Sequence, residues 1–99
     1  MRITVLAAAA CPNSPLVLER ISAALGGRAA DVELVEVRDE EEAAQWRMTG
    51  SPTVLIDGVD PFPPGGAEPT VSCRLYRGPD GQLDGAPSEE ALRQALAAG

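Results

Sequence analysis

The sequence predicts an α/β fold built on a four-stranded mixed sheet with helices on both faces. Strand-like segments alternate with segments whose apolar residues recur at helical spacing, in the order strand, helix, strand, helix, strand, strand, helix (βαβαββα). Strands separated by a helix pair in parallel, and such short units leave few alternative topologies. A length of 99 residues, with 44% hydrophobic and 23% charged, fits a single domain over residues 1–99.

The first strand and the first helix meet at a cysteine. An apolar run predicts a strand over Arg2–Ala8, and the prolines that follow cannot continue a strand interior. Ser14 is a suitable N-cap for a helix with Pro15 in its first turn, where the missing N–H group is not needed. Cys11 therefore lies at or just before the N-terminus of this helix.

A cysteine in that position is predicted to be reactive. The unpaired N–H groups and the positive end of the helix dipole favour a thiolate over a thiol. Two other roles for Cys11 stay open: a small buried core residue, and the lipidated cysteine of a very short export signal. The turn-forming residues after Cys11 disfavour the first role, and the charged part of such a signal is only Met1 and Arg2.

Acidic residues mark the second strand and the second helix. Acidic and apolar residues alternate over Asp31–Val37, which predicts a strand with one solvent-facing side. Asp39 then caps a helix, with Glu42 as its capping-box partner. The acidic run at 39–42 therefore has a structural explanation.

The second half of the chain predicts two strands and a final helix. Thr53–Ile56 is a short apolar strand of the kind that is buried on both faces, and residues 70–77 form an alternating strand. Between them, a proline-rich loop over 59–69 has the length typical of functional loops. Ser88 caps the last helix.

The order of elements predicts how these strands pair. We expect the first strand and Thr53–Ile56 to be parallel neighbours in the middle of the sheet, with 70–77 antiparallel at an edge. The alternation places Cys73 on an apolar, buried face. A hairpin between the last two strands puts Cys73 toward the opposite end of the sheet from Cys11. Burial on the apolar face disfavours the thiolate and makes Cys73 the less reactive cysteine.

Composition excludes several classes of function. The net charge is −7 and the chain has no lysine, so it offers no basic surface to nucleic acid. No apolar run approaches the length of about 18 residues that a membrane span needs, so we expect no membrane partner. Histidine is absent and there are only two cysteines, so we predict no metal site and no cofactor. Without a convincing export signal, the chain is expected to be cytoplasmic.

Two short motifs are similar to those of a known protein family. Cys11-Pro12-Asn13-Ser14 after the first strand, and Gly50-Ser51-Pro52-Thr53 at the third, resemble the thioredoxin and glutaredoxin family when taken with the order of elements. The resemblance implies a thioredoxin-like fold in which a cis-proline faces the catalytic cysteine. It implies the catalytic residues Cys11, Ser14 and Pro52, and the substrate-binding residues Pro12, Asn13, Ser51 and Thr53. Ser14 replaces the second cysteine of the family motif, which implies a monothiol protein.

Two longer segments of the sequence are similar to a narrower group of proteins. Residues 50–62 and 72–77 resemble small bacterial thioredoxin-like proteins, some of which carry an alkylmercury-lyase-type label. That label implies chemistry in which both sulfurs bind a soft metal and an acid such as Asp57 or Asp60 protonates a carbon leaving group. In this chemistry Cys73 is a candidate second thiol beside Cys11.

Three functions therefore stand as alternatives. The first is a monothiol redox protein, in which Cys11 exchanges with a protein or low-molecular-weight disulfide and an outside thiol resolves the product. The second is a non-catalytic binding or regulatory module whose contact surface is the loop over 59–69. The third is soft-metal or organomercurial handling through Cys11 and Cys73.

Overall fold

Helices and strands alternate through the first half of the chain, as in an α/β protein. The computed structural model describes residues 1–62 and 68–98. In order, the elements are β1 (Arg2–Ala8), α1 (Ser14–Leu25), β2 (Asp31–Val37), α2 (Glu40–Trp46), β3 (Thr49–Ser51), β4 (Thr53–Ile56), β5 (Thr70–Cys73), β6 (Tyr76–Arg77), β7 (Leu83–Asp84) and α3 (Glu89–Ala98).

The central sheet has β1 in its middle, in the order β2-β1-β4. β1 and β2 run in parallel, from Arg2 opposite Asp31 to Ala8 opposite Val37. β1 and β4 are antiparallel neighbours. The prediction that these two strands lie side by side is confirmed, and the prediction that they are parallel is wrong.

The short second helix explains the direction of β4. α2 has seven residues, and at about 1.5 Å per residue such a helix spans about 10 Å. β2 also has seven residues, and at about 3.3 Å per residue a strand of that length is about twice as long. α2 therefore does not return the chain to the start of β1. β4 enters the sheet from the end at which β1 and β2 finish.

Helices cover both faces of the sheet, as predicted. One core cluster joins Ile3 and Val5 of β1 to the apolar sides of α1 and α3. A second cluster joins Leu6 of β1 to Ala43 of α2 and to Met48. Because successive strand residues point to opposite faces, α1 and α3 lie on one face and α2 on the other. Among the described residues, no helix combines the length and the apolar character needed to cross a membrane.

The segment predicted as one strand over 70–77 is divided in two. β5 pairs in parallel with β3, and β6 pairs antiparallel with β7. Within the described residues neither strand joins the central sheet, which has three strands where four were predicted. The predicted hairpin is wrong because β5 lies beside Thr49–Ser51, the segment before β4. The predicted loop over 59–69 is described only at its ends, since 63–67 lie outside the described residues.

Two predicted helix caps are confirmed and one is wrong. The Asp39 carboxylate and the Ser88 hydroxyl accept backbone N–H groups of the first turns of α2 and α3, at 2.9 and 3.1 Å. Ser14 is instead the first residue of α1, and the preceding Asn13 makes no side-chain cap hydrogen bond. The Ser14 hydroxyl instead donates to the Cys11 carbonyl, in the turn before the helix.

β2 forms one edge of the central sheet in the part of the chain that is described. Val32 and Leu34 are 43% and 50% exposed. The exposed carboxylates of Asp31, Glu33 and Glu36 lie along the same strand. The predicted strand is confirmed, but the prediction of a single solvent-facing side is wrong, because Glu33 and Leu34, on opposite faces of the strand, are both exposed.

Candidate functional site

The predicted site residues gather at one end of the central sheet. β1 and β2 both finish there and β4 begins there, with Thr53 opposite Leu6. Cys11 follows β1 in the turn that leads to α1, and Pro52 lies immediately before β4. The topology thus brings together two motifs that are far apart in the sequence.

Cys11 lies in a hydrogen-bonded turn and is half-buried. Its N–H group donates to the Ala8 carbonyl at 3.1 Å. Its own carbonyl accepts from the Ser14 N–H group at 3.3 Å and from the Ser14 hydroxyl at 3.0 Å. Ser14 therefore holds the backbone of the turn that carries the thiol.

The segment before β4 is fixed to the end of β1. The Ser51–Pro52 peptide bond is cis, as predicted, and both residues are buried. The Ser51 hydroxyl accepts a hydrogen bond from the Ala8 N–H group at 2.9 Å. Thr53 is fully buried and donates its hydroxyl to the Gly50 carbonyl at 2.5 Å. Ser51, Pro52 and Thr53 thus form a hydrogen-bonded wall at the strand end from which the Cys11 turn begins.

The other two predicted substrate-binding residues lie on the far side of Cys11. Pro12 is exposed and Asn13 is half-buried. Asn13 packs directly against Gly85, where an added Cβ atom would clash with the Asn13 side-chain amide. The segment around Gly85 therefore borders the start of α1.

Arg20 of α1 holds that bordering segment in place. Its guanidinium donates to the carbonyls of Ala86 and Pro87 at 3.1 and 3.2 Å, and to the Asp84 carboxylate at 2.8 Å. The hydrogen bond from Arg20 lowers the pKa of the Asp84 carboxyl below its ordinary value. The C-terminal part of the chain is thus anchored beside the Cys11 turn.

A buried arginine that was not predicted from the sequence supports the wall. Arg74 is 6% exposed. Its neighbours Cys73 and Leu75, which the sequence predicts to be buried, are exposed. The Arg74 N–H group donates to the Ser51 carbonyl at 3.0 Å, and its guanidinium donates to the Thr53 hydroxyl at 3.4 Å.

Three further contacts neutralise and cover the Arg74 guanidinium. It donates to the Asp60 carboxylate at 2.8 Å, in an ion pair whose side chains are 5% and 18% exposed. It also donates to the Phe62 carbonyl, and its Cζ atom lies 4.5 Å from the centroid of the Tyr76 ring. A buried guanidinium needs such a countercharge and acceptors to offset its loss of hydration. Arg74 thereby ties the segment at residues 60–62 to the wall.

Tyr76 completes this cluster. It is 6% exposed, and its hydroxyl donates to the Pro52 carbonyl. Its ring packs edge-on against Phe62, with the centroids 5.9 Å apart and the planes at 88°. Burial raises the pKa of Tyr76 well above its ordinary value of 10.0, an effect that Arg74 opposes and Asp60 reinforces. The hydroxyl therefore stays protonated and keeps its bond to the wall.

The raised pKa of Tyr76 predicts a loss of stability in alkaline solution. Below pH 10 the folded and unfolded chains both hold the proton; above it the unfolded chain loses the proton first, so the free energy of unfolding falls as pH rises. Tyr76→Phe removes this dependence and, by leaving the Pro52 carbonyl unpaired, costs about 1–3 kcal/mol at neutral pH. Urea denaturation between about pH 8 and 11 measures both effects.

Tyr76 is the only tyrosine of the chain. The tyrosinate absorbance of the folded protein therefore reports Tyr76 alone. A tyrosinate signal that appears near pH 10 while the protein remains folded contradicts the prediction.

Cys73 lies at the same end of the molecule as Cys11, and its predicted position at the opposite end is wrong. In the parallel β3–β5 pair, Cys73 is opposite Ser51. Ser51 is itself bonded to the last residue of β1. Both cysteines are free, and Cys73 is exposed where burial was predicted.

The two acids considered for organomercurial chemistry are engaged elsewhere. Asp57 accepts a hydrogen bond from the Arg2 N–H group at 2.8 Å, at the opposite end of β1. Asp60 is bonded to Arg74. Of the two carboxylates, Asp57 therefore lies at the far end of β1 from the two thiols.

The chemistry available at this end of the sheet is that of sulfur. Cys11 and Cys73 are its nucleophilic thiols, and the chain has no histidine to act as a general base. A thiolate attacks a disulfide without a further catalytic group. Comparison of the chain with protein-family models, with curated proteins and with solved structures finds no match.

Proposed function

We propose that this chain is a thioredoxin-like redox protein in which Cys11 carries out thiol–disulfide exchange. The observation that carries the proposal is the position of Cys11, between the central strand β1 and the first turn of α1. The proposal has Cys11 react as the thiolate, the form that attacks a disulfide. Ser51 and Pro52 lie at the same strand end, as the family resemblance implies.

The order and direction of the elements support the thioredoxin-like fold. β1, α1 and β2 form a parallel unit, and β4 returns antiparallel beside β1. α3 packs with α1 on one face of the sheet. In this proposal β5 and β6 are the counterpart of a fourth strand that has left the central sheet.

The proposed reaction has two exchange steps. The Cys11 thiolate attacks one sulfur of a protein or low-molecular-weight disulfide, which forms a mixed disulfide and releases the other half as a thiolate. Ser14 has no sulfur with which to resolve this product. In a monothiol cycle an outside thiol attacks the mixed disulfide and releases Cys11. The cytoplasm supplies such reducing thiols, so we place the activity there, with no bound cofactor.

The residues around Cys11 position the substrate in this proposal and do not react with it. Ser14 fixes the turn through the Cys11 carbonyl. Ser51 and Pro52 are held by hydrogen bonds from β1 and from the segment that includes β6. A substrate disulfide docks against this fixed wall, which lowers the cost of orienting it toward the thiolate.

Cys11→Ser is expected to reduce turnover to background in an assay that reduces a small mixed disulfide with glutathione as electron donor. A serine hydroxyl does not ionise near neutral pH, so the attacking group is lost. The rate of disulfide consumption is the measurement. Ser22→Ala, at an exposed position of α1, is the matched control and should keep the wild-type rate.

Two results oppose the proposal: a Cys11→Ser variant that turns over at the wild-type rate, or a wild-type protein without turnover. Either result favours the non-catalytic binding or regulatory module. In that alternative the contact surface is the loop over 59–69, whose described parts are 59–62 and 68–69.

A further inference from the structure

Cys73 is an exposed thiol held in a fixed register beside the candidate site. It ends β5, opposite Ser51 of β3. The next residue, Arg74, is 6% exposed and donates its N–H group to the Ser51 carbonyl at 3.0 Å. Because Arg74 turns into the interior, Cys73 is left facing solvent. Free cysteines are among the most buried residues in proteins, so packing does not explain this position.

A short series of contacts connects Cys73 with Cys11. Ser51, opposite Cys73, accepts a hydrogen bond from the Ala8 N–H group at 2.9 Å. The Ala8 carbonyl in turn accepts from the Cys11 N–H group at 3.1 Å. Two thiols separated by most of the sequence therefore lie at one end of the sheet, each joined through the backbone to the Ala8–Ser51 contact.

The turn that carries Cys11 is open to solvent and strained. Ala9, Ala10 and Pro12 are exposed. Ala10 has φ of 56°, in the left-handed region that an alanine side chain disfavours. A disulfide needs its two Cα atoms within about 7 Å. A disulfide between Cys11 and Cys73 therefore requires the Cα atoms of these two residues to come within that distance.

We infer that Cys73 is the resolving thiol for Cys11, an inference that rests on the proposed function. Once Cys11 is joined to half of the substrate, the Cys73 thiolate attacks the Cys11 sulfur. A new S–S bond joins Cys11 to Cys73, the bond to the substrate breaks, and the substrate half leaves as a thiolate. Two low-molecular-weight thiols then reduce the Cys11–Cys73 disulfide and are themselves oxidised to one disulfide.

In this role Cys73 supplies the resolving sulfur that Ser14 lacks. A thiol within the same molecule acts at an effective concentration in the millimolar range. It therefore resolves the mixed disulfide faster than an outside thiol whenever that outside thiol is dilute. The resolving sulfur comes from β5, outside the motif that contains the attacking one.

Oxidation of the wild-type protein with diamide, followed by iodoacetamide alkylation and intact mass measurement, tests the pairing. We expect an oxidised monomer that has lost two hydrogens and carries no alkyl groups, because both sulfurs are in one disulfide. A monomer that still takes up two alkyl groups after the diamide treatment, or disulfide-linked dimers in place of the oxidised monomer, overturns the inference.

The kinetic test compares Cys73→Ser with Ser72→Ala, a neighbouring exposed position. With about 0.1 mM glutathione, Cys73→Ser is expected to release the substrate half from Cys11 about 10-fold more slowly, given millimolar effective concentration in the wild type. The difference should shrink as glutathione rises, and Ser72→Ala should match the wild type at every concentration.

The outcomes separate the two proposals. If Cys73→Ser matches the wild type at low glutathione while Cys11→Ser is inactive, the resolving role is overturned and the monothiol proposal stands. If Cys11→Ser keeps the wild-type rate, the proposed function fails and the resolving role fails with it.

Discussion

Replacing Arg74 by methionine is expected to lower the free energy of unfolding by about 3–5 kcal/mol. The change leaves the Asp60 carboxylate, which is 18% exposed, without the guanidinium that lies 2.8 Å away. It also removes the donor to the Phe62 carbonyl and the cation that stacks on Tyr76. Small domains are stable by only about 5–15 kcal/mol, so urea denaturation should show a large shift of the midpoint.

Arg93→Met is the matched control for this prediction. Arg93 pairs with Glu89 on the surface of α3, where the two side chains are 56% and 45% exposed. Such exposed pairs contribute about 1 kcal/mol or less. A second variant, Asp60→Leu combined with Arg74→Met, should recover part of the loss because it leaves no unpaired buried charge. If Arg74→Met costs no more than Arg93→Met, the buried cluster does not stabilise the fold as described.

Gly50→Ala is expected to cost about 2–6 kcal/mol. Gly50 has φ of +132°, and an added Cβ atom would lie 2.5 Å from the Arg74 Cβ atom. Strain at such a φ costs about 1–3 kcal/mol for a residue with a side chain. Relieving the clash forces β5 away from β3. Overpacking of this kind costs about 1–3 kcal/mol more. Thermal or urea unfolding measures the sum.

Gly58→Ala separates strain from the clash. Gly58 also has a positive φ, of +85°, but an added Cβ atom there meets nothing within 4 Å. This variant should therefore lose only the conformational part, about 1–2 kcal/mol. If Gly50→Ala and Gly58→Ala lower the free energy of unfolding equally, the predicted clash with Arg74 is wrong.

Local patterns predict the first half of the fold well because its elements depend on local chemistry. The apolar run of β1 and the alternation in β2 predict both strands at the bounds observed, Arg2–Ala8 and Asp31–Val37. The direction of β4 depends instead on how far α2 carries the chain. Helix length is set by where the helix ends, at Trp46, and the sequence gives a weak signal for that residue.

The burial of Arg74 depends on partners that a local pattern does not contain. The alternation over 70–77 favours Cys73 and Leu75 as the buried residues. Arg74 is buried instead because Asp60 and Phe62, 14 and 12 residues earlier, supply a carboxylate and a carbonyl. The signal in the sequence is a single arginine in the otherwise uncharged segment from Thr70 to Tyr76.

The same partners decide where the second thiol lies. Once Arg74 turns inward and bonds to the Ser51 carbonyl, β5 is fixed beside β3 and Cys73 is turned outward. The position of Cys11 needed no such information, since a strand end and a proline-led helix define it locally.

The carboxylates along β2 protect the edge of the central sheet from pairing with a second copy of the chain. An unpaired edge strand offers N–H and C=O groups on which a second strand can add, and here it also exposes Val32 and Leu34. When two such edges approach, the charges of Asp31, Glu33 and Glu36 on each copy repel those on the other. Strongly acidic solution protonates carboxylates and removes this repulsion while the apolar side chains stay exposed. We therefore expect this edge to favour aggregation in strongly acidic solution.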